Sequence, residues 1–187
     1  MNEEKAVDKI TLEVIDFIQK VIINEIGCLI YPNGNSGKEI QEQVSPFIKF
    51  LPIISSIEFL GACYDQFSFI EEGHSEDRFN VALKRLFKKE YLPFSKADNK
   101  FYFYEKLRCA MVHQLRPAKG IMFTTRFESK KDKTEHLKED EKGNLILVLE
   151  DFYDDLIKSS KKIIDQFKNK KITNKKGEQA FIDIISY

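Results

Sequence analysis

Apolar residues in the first thirty positions recur in three- and four-residue steps: Val7, Ile10, Val14, Phe17, Ile18, Val21 and Ile22. That period predicts an amphipathic helix. Glu3 and Glu4 suit the positive end of its dipole, and Gly27 is the expected stop. Tyr31 to Lys38 is a loop by composition. Ser45-Pro46 then sets a cap and a proline at the first helical position. Phe47, Ile48, Phe50, Leu51, Ile53, Ile54, Ile57, Phe59 and Leu60 follow, apolar on nearly every side. Such a segment predicts the central buried helix, kinked or restarted at Pro52. Ser75 is the expected cap of a third helix, with Phe79, Ala82, Leu83, Leu86 and Phe87 facing inward. Asp98 is the expected cap of a fourth, with Phe103, Leu107, Ala110, Met111 and Leu115 as its core stripe and Pro117 as its stop.

The period changes after Gly120. Ile121 to Phe127 is β-branched and aromatic, a charged loop runs from Glu128 to Lys142, and Gly143-Asn144 leads into Leu145 to Leu149. Two strands around a loop predict a small β-hairpin. Phe152, Tyr153, Leu156, Ile157, Ile163, Ile164 and Phe167 then mark a last long helix. The expected fold is mainly α: an up-and-down bundle of about five helices. The hairpin, over about 120–149, precedes the final helix, and 1–187 forms one domain without internal repeats.

Composition narrows the function classes. A chain of 187 residues buries roughly 70% of its unfolded surface, so it needs no disulfide or structural metal to fold. Lysine plus arginine (30) balance aspartate plus glutamate (30), so no whole-molecule field steers the chain toward nucleic acid, and any anion site is local. Cys28, Cys63 and Cys109 are far apart in apolar contexts, which predicts reduced, buried thiols. The acidic start, Met1-Asn2-Glu3-Glu4, is unlike a signal peptide, and Lys49, Glu58 and Asp65 break the most apolar stretch. The expected location is the cytoplasm, with no membrane partner.

Several candidate sites are weak. Gly34-Asn35-Ser36-Gly37-Lys38 has the wrong glycine spacing for a phosphate loop, and Glu39 stands where a hydroxyl would bind magnesium. His74, His113 and His136 are scattered, and Glu71, Glu72, His74, Glu76 and Asp77 read as a solvated turn; no metal or other cofactor is expected. Lys158, Lys161, Lys162, Lys168, Lys170, Lys171, Lys175 and Lys176 form a basic terminal face. Without interleaved aromatics it reads as a solvated helix end rather than a nucleic-acid track.

Arg108-Cys109-Ala110-Met111-Val112-His113 is different. A permanent cation and a near-neutral acid/base sit beside an apolar stripe, a pairing suited to phosphate chemistry. On an ideal helix the two are about 140° apart, so they cooperate only if the helix is distorted or a second copy supplies the partner. Tyr104 to Gln114 resembles the signature of HEPN-like proteins: an Arg, four to six residues, then a His, late in a helical bundle. That resemblance implies an RNA-binding homodimer. Many such proteins are metal-independent endoribonucleases of toxin–antitoxin or phage-defence systems, with an antitoxin or other protein as a further partner. It assigns Arg108 to the scissile phosphate and His113 to general acid/base work, with Lys106, Arg116 and Lys119 as nucleic-acid contacts. The residue after the Arg is often polar in active members; here it is Cys109. A non-catalytic dimerisation or interaction module is therefore the alternative, and in it Glu58 pairs with Arg108 inside the bundle.

Overall fold

The computed structural model describes residues 9–31, 46–69 and 71–172. The Ser45 cap, the Gly34–Lys38 loop, Lys175 and Lys176 lie outside these residues. The described chain is mainly helical, with a small two-stranded parallel sheet.

The first helix runs as α1 (Lys9–Phe17), a π-helical stretch (Ile18–Glu25) and α2 (Ile26–Ile30). Gly27 does not end it. A Cβ there would lie 2.8 Å from the Tyr153 hydroxyl, which donates to the Ile22 and Ile23 carbonyls at 3.1 and 2.6 Å. The glycine makes room for a tyrosine that satisfies backbone groups of the widened turns.

Helix α3 (Pro46–Ala62) is the centre of the molecule; Phe50, Ile53, Ile54, Ile57 and Leu60 are fully buried. It passes through Pro52 without restarting. The Ser56 hydroxyl donates to the Pro52 carbonyl at 2.7 Å, and the carbonyl that proline leaves unpaired belongs to Ile48, in the exposed first turn. Helix α4 (Ser75–Arg85) packs closely on α3. At their crossing, a Cβ on Gly61 would lie 1.7 Å from the Arg78 carbonyl oxygen. His74, not Ser75, occupies the cap position of α4, and no side chain caps it.

A 3₁₀ segment (Lys89–Ser95) leads to a π-helical turn (Tyr104–Cys109) continued by α5 (Ala110–Gln114). Asp98 caps nothing here; Asn99 Oδ1 instead accepts the Phe101 N–H at 2.8 Å. Leu115 is no core residue. It is 54% exposed in the left-handed region (φ 56°), where it reverses the chain two residues before Pro117.

Strands β1 (Ile121–Thr124) and β2 (Leu145–Val148) pair in parallel, from Ile121 opposite Leu145 to Thr124 opposite Val148. The expected hairpin between them does not form. Helix α6 (Arg126–Lys131), capped by the Thr125 hydroxyl, lies in the connection and returns the chain to its starting end. A shorter antiparallel contact forms on the other side of β2. There Leu137 N–H donates to the Ile146 carbonyl and Ile146 N–H to the Lys138 carbonyl, around a turn from Asp140 to Gly143. Helix α7 (Leu149–Lys168) closes the fold, with Phe152, Tyr153, Leu156 and Ile163 buried against α3 and the first helix. No described helix is long and apolar enough to cross a membrane.

Candidate functional site

Arg108 sits in the π-helical turn, pinned to the core by the fully buried Leu107 and Met111 on either side. Its Nε donates to Glu58 Oε2 of α3 at 2.8 Å, its Nη2 to the Ser75 hydroxyl of α4 at 3.4 Å, and its guanidinium lies 5.7 Å from the centre of the Tyr104 ring. Three elements thus fix one fork. Both members of the ion pair are mostly buried, Arg108 at 19% and Glu58 at 21% side-chain exposure. Burial alone lowers the pKa of Arg108, but the Glu58 hydrogen bond and charge outweigh it and hold the guanidinium above its usual range. The fork lines a recess of ≈ 310 Å³ with Ser55, Glu58, Phe59, Arg78 and Val112.

His113 is not part of that recess. It is exposed on α5, five residues after Arg108, and makes no side-chain hydrogen bond or ion pair among the described residues. Val112 and Leu115 beside it are 42% and 54% exposed. The Arg108–His113 dyad is therefore not closed within one chain. Lys106 pairs with its neighbour Glu105. After Leu115 reverses the chain, Ala118 N–H donates to the Lys106 carbonyl at 2.8 Å, which returns Lys119 to the neighbourhood of Lys106; Arg116 and Lys119 are exposed. The three cations expected to contact nucleic acid thus share one end of the molecule.

Cys109 is half-buried and lies against both Tyr104 and Arg108; the Tyr104 phenol is raised by burial first and by Cys109 next. Only Cys63 is buried, while Cys28 is exposed, so the expectation of three buried thiols fails. Cys28 follows Gly27 on the outward side of a helix that continues where a stop was expected. Ser75 and Tyr104 are site residues that sequence reasoning missed. Ser75 was visible as a helix start, but its partner Arg108 lies 33 residues away.

A second polar cluster is buried under β2. His136 Nδ1 accepts the Val148 N–H at 3.0 Å, so the neutral ring carries its proton on Nε2 and donates it to the Tyr91 hydroxyl at 2.8 Å. Tyr91 donates onward to Asp155 Oδ2 at 3.1 Å, and Lys88 pairs with the same carboxylate at 2.7 Å. Burial lowers His136 to about 4 against the opposing pull of Asp155. No group of three metal-ligating side chains converges among the described residues.

No family model matches the chain, and neither a curated protein nor a solved structure matches it.

Proposed function

We propose that this chain is a HEPN-like RNA-binding protein that acts as a homodimer in a toxin–antitoxin or phage-defence setting, with a metal-independent endoribonuclease centre at the dimer cleft. Arg108 of one protomer holds the scissile phosphate. His113 of its partner is the general acid/base, serving the ribose 2′-hydroxyl or the leaving 5′-oxygen. The observation that supports this reading is the pre-oriented Arg108 fork, fixed by Glu58 and Ser75 at the edge of a recess, with an exposed His113 five residues on. A fork held in advance costs no reorganisation when phosphate charge develops.

The same ion pair favours a second reading. Glu58 occupies one edge of the guanidinium, and Cys109 offers no amide or carboxylate to orient a phosphate. A non-catalytic dimerisation module would use Arg108 only as internal structure. Cleavage of single-stranded RNA in the presence of a chelator separates the two. The catalytic reading expects wild-type cleavage that falls on the order of 100-fold or more in Arg108→Ala and in His113→Ala. Wild-type protein that leaves RNA intact, or variants that cut as well as wild type, would sink it in favour of the module.

A further inference from the structure

On the other side of Arg78 from the Arg108 recess lies a second cleft, of ≈ 220 Å³, lined by Tyr64, Phe67, His74, Asp77, Arg78 and Arg85 among others. We infer that this cleft takes the base of a nucleotide, with Arg85 receiving its phosphate. The inference extends the RNA-binding reading to a subsite that the Arg108–His113 motif does not include.

Two aromatic platforms are already assembled there. The Phe67 and His74 rings stack at 3.8 Å with 8° between their planes, and the Arg85 guanidinium lies over the Tyr64 ring at 4.9 Å. Bases stack on exposed rings and on guanidinium planes, and the planar Arg fork also matches phosphate oxygens. The walls are rigid. Buried Arg78 donates to Asp65 at 2.6 Å and to the carbonyls of Phe67, Ser68 and Phe69, which ties the loop after α3 to α4. Tyr64 is held from below, its hydroxyl donating to Gln166 Oε1 of α7 at 2.5 Å. Such a cleft needs little ordering to accept a ring. Its acidic lining does not repel the ligand outright: Asp65 is neutralised by Arg78, and Asp77 offers acceptors to the amino edge of a base.

Charge gathers at the same place. Lys162 of α7 donates to the Arg85 carbonyl, which brings the basic face of α7 up to the cleft. That face lacks aromatics along the sequence, yet folding places Tyr64 beside it, on the wall of a cleft that His74 also lines. Basic residues with interleaved stacking platforms are the arrangement that follows a single strand.

Titration of the whole protein with guanosine and adenosine 5′-monophosphate, followed by NMR, tests this, with inorganic phosphate as the control. The expected result is nucleotide binding on the order of tenfold tighter than phosphate. Arg85→Ala and His74→Ala should each lose about tenfold in affinity at an unchanged thermal midpoint. Arg85→Lys, which keeps the charge and removes the planar fork, should also weaken binding. Phosphate binding as tight as nucleotide binding, no nucleotide binding by wild type, or wild-type affinity in both Arg85 variants overturns the inference. RNA cleavage by a protein that fails this titration would sink the cleft alone. Nucleotide binding by a protein that neither binds nor cuts RNA would sink the RNA reading alone.

Discussion

Arg108 works from a position that Glu58 defines, and the cost of removing Glu58 measures how firmly. Glu58→Ala leaves a largely buried guanidinium without its charged partner, held by the longer Ser75 contact and by its Tyr104 and Cys109 neighbours. The expected loss in unfolding free energy is about 1–3 kcal/mol, read by urea denaturation. A change within a few tenths would mean that solvent replaces the pair freely. His136 carries a different signal. Its folded pKa, about 4, lies below the ordinary value of 6.5, so the unfolded chain binds the extra proton first. The stabilisation is complete above pH 6.5, falls as pH drops through 4, and amounts to roughly 3 kcal/mol across that window. His136→Gln should lack this slope, so denaturation of both proteins between pH 3.5 and 7.5 should show their difference shrinking toward acid. A constant difference would contradict it. At this scale the sequence was partly legible. Glu58 is a lone acid in an apolar helix, so a buried cationic partner follows from chemistry alone. The Tyr91–His136–Asp155 chain was invisible, because its members lie 45 and 64 residues apart along the chain from Tyr91 and no local pattern links them.

Helices α3 and α4 meet where Gly61 touches the Arg78 backbone, and that contact also sets the wall between the two clefts. Gly61→Ala drives a Cβ into a carbonyl oxygen that cannot rotate away, so the helices must separate. The expected cost is about 3 kcal/mol, near the upper end for overpacking, with the thermal midpoint as the measurement. Gly27→Ala should cost less, because the atom it meets is the tip of a tyrosine. The period of the apolar residues made most helices readable, since a core-facing stripe needs no knowledge of its partner. Their ends were less readable. Gly27 looks like a stop unless the reader knows that Tyr153 arrives there from α7. The two strands were also found, but not their direction. Alternating apolar residues are common to parallel and antiparallel pairs, and the short helix α6 inside the charged connection decides between them.

At the scale of the molecule, the question is whether one chain can hold a complete site. Arg108 faces a recess on the α3 and α4 side, His113 stands outside that recess, and exposed Val112 and Leu115 flank the histidine. In a two-fold dimer through this face, each cleft would take Arg108 from one protomer and His113 from its partner. Mixing two inactive proteins tests that arrangement directly. Equal amounts of Arg108→Ala and His113→Ala, unfolded and refolded together, yield mixed dimers as half of the population. Each mixed dimer has one site with both native residues and one with neither, so the mixture should recover about a quarter of wild-type cleavage. If Arg108 and His113 of the same chain form the site instead, every site in the mixture lacks one residue and cleavage stays at the level of the single variants. Sedimentation of the mixture, run alongside, distinguishes that result from a failure to exchange protomers. Recovery near a quarter would mean that Arg108 and His113 of one cleft come from different protomers, as the recess that holds Arg108 and leaves out His113 requires.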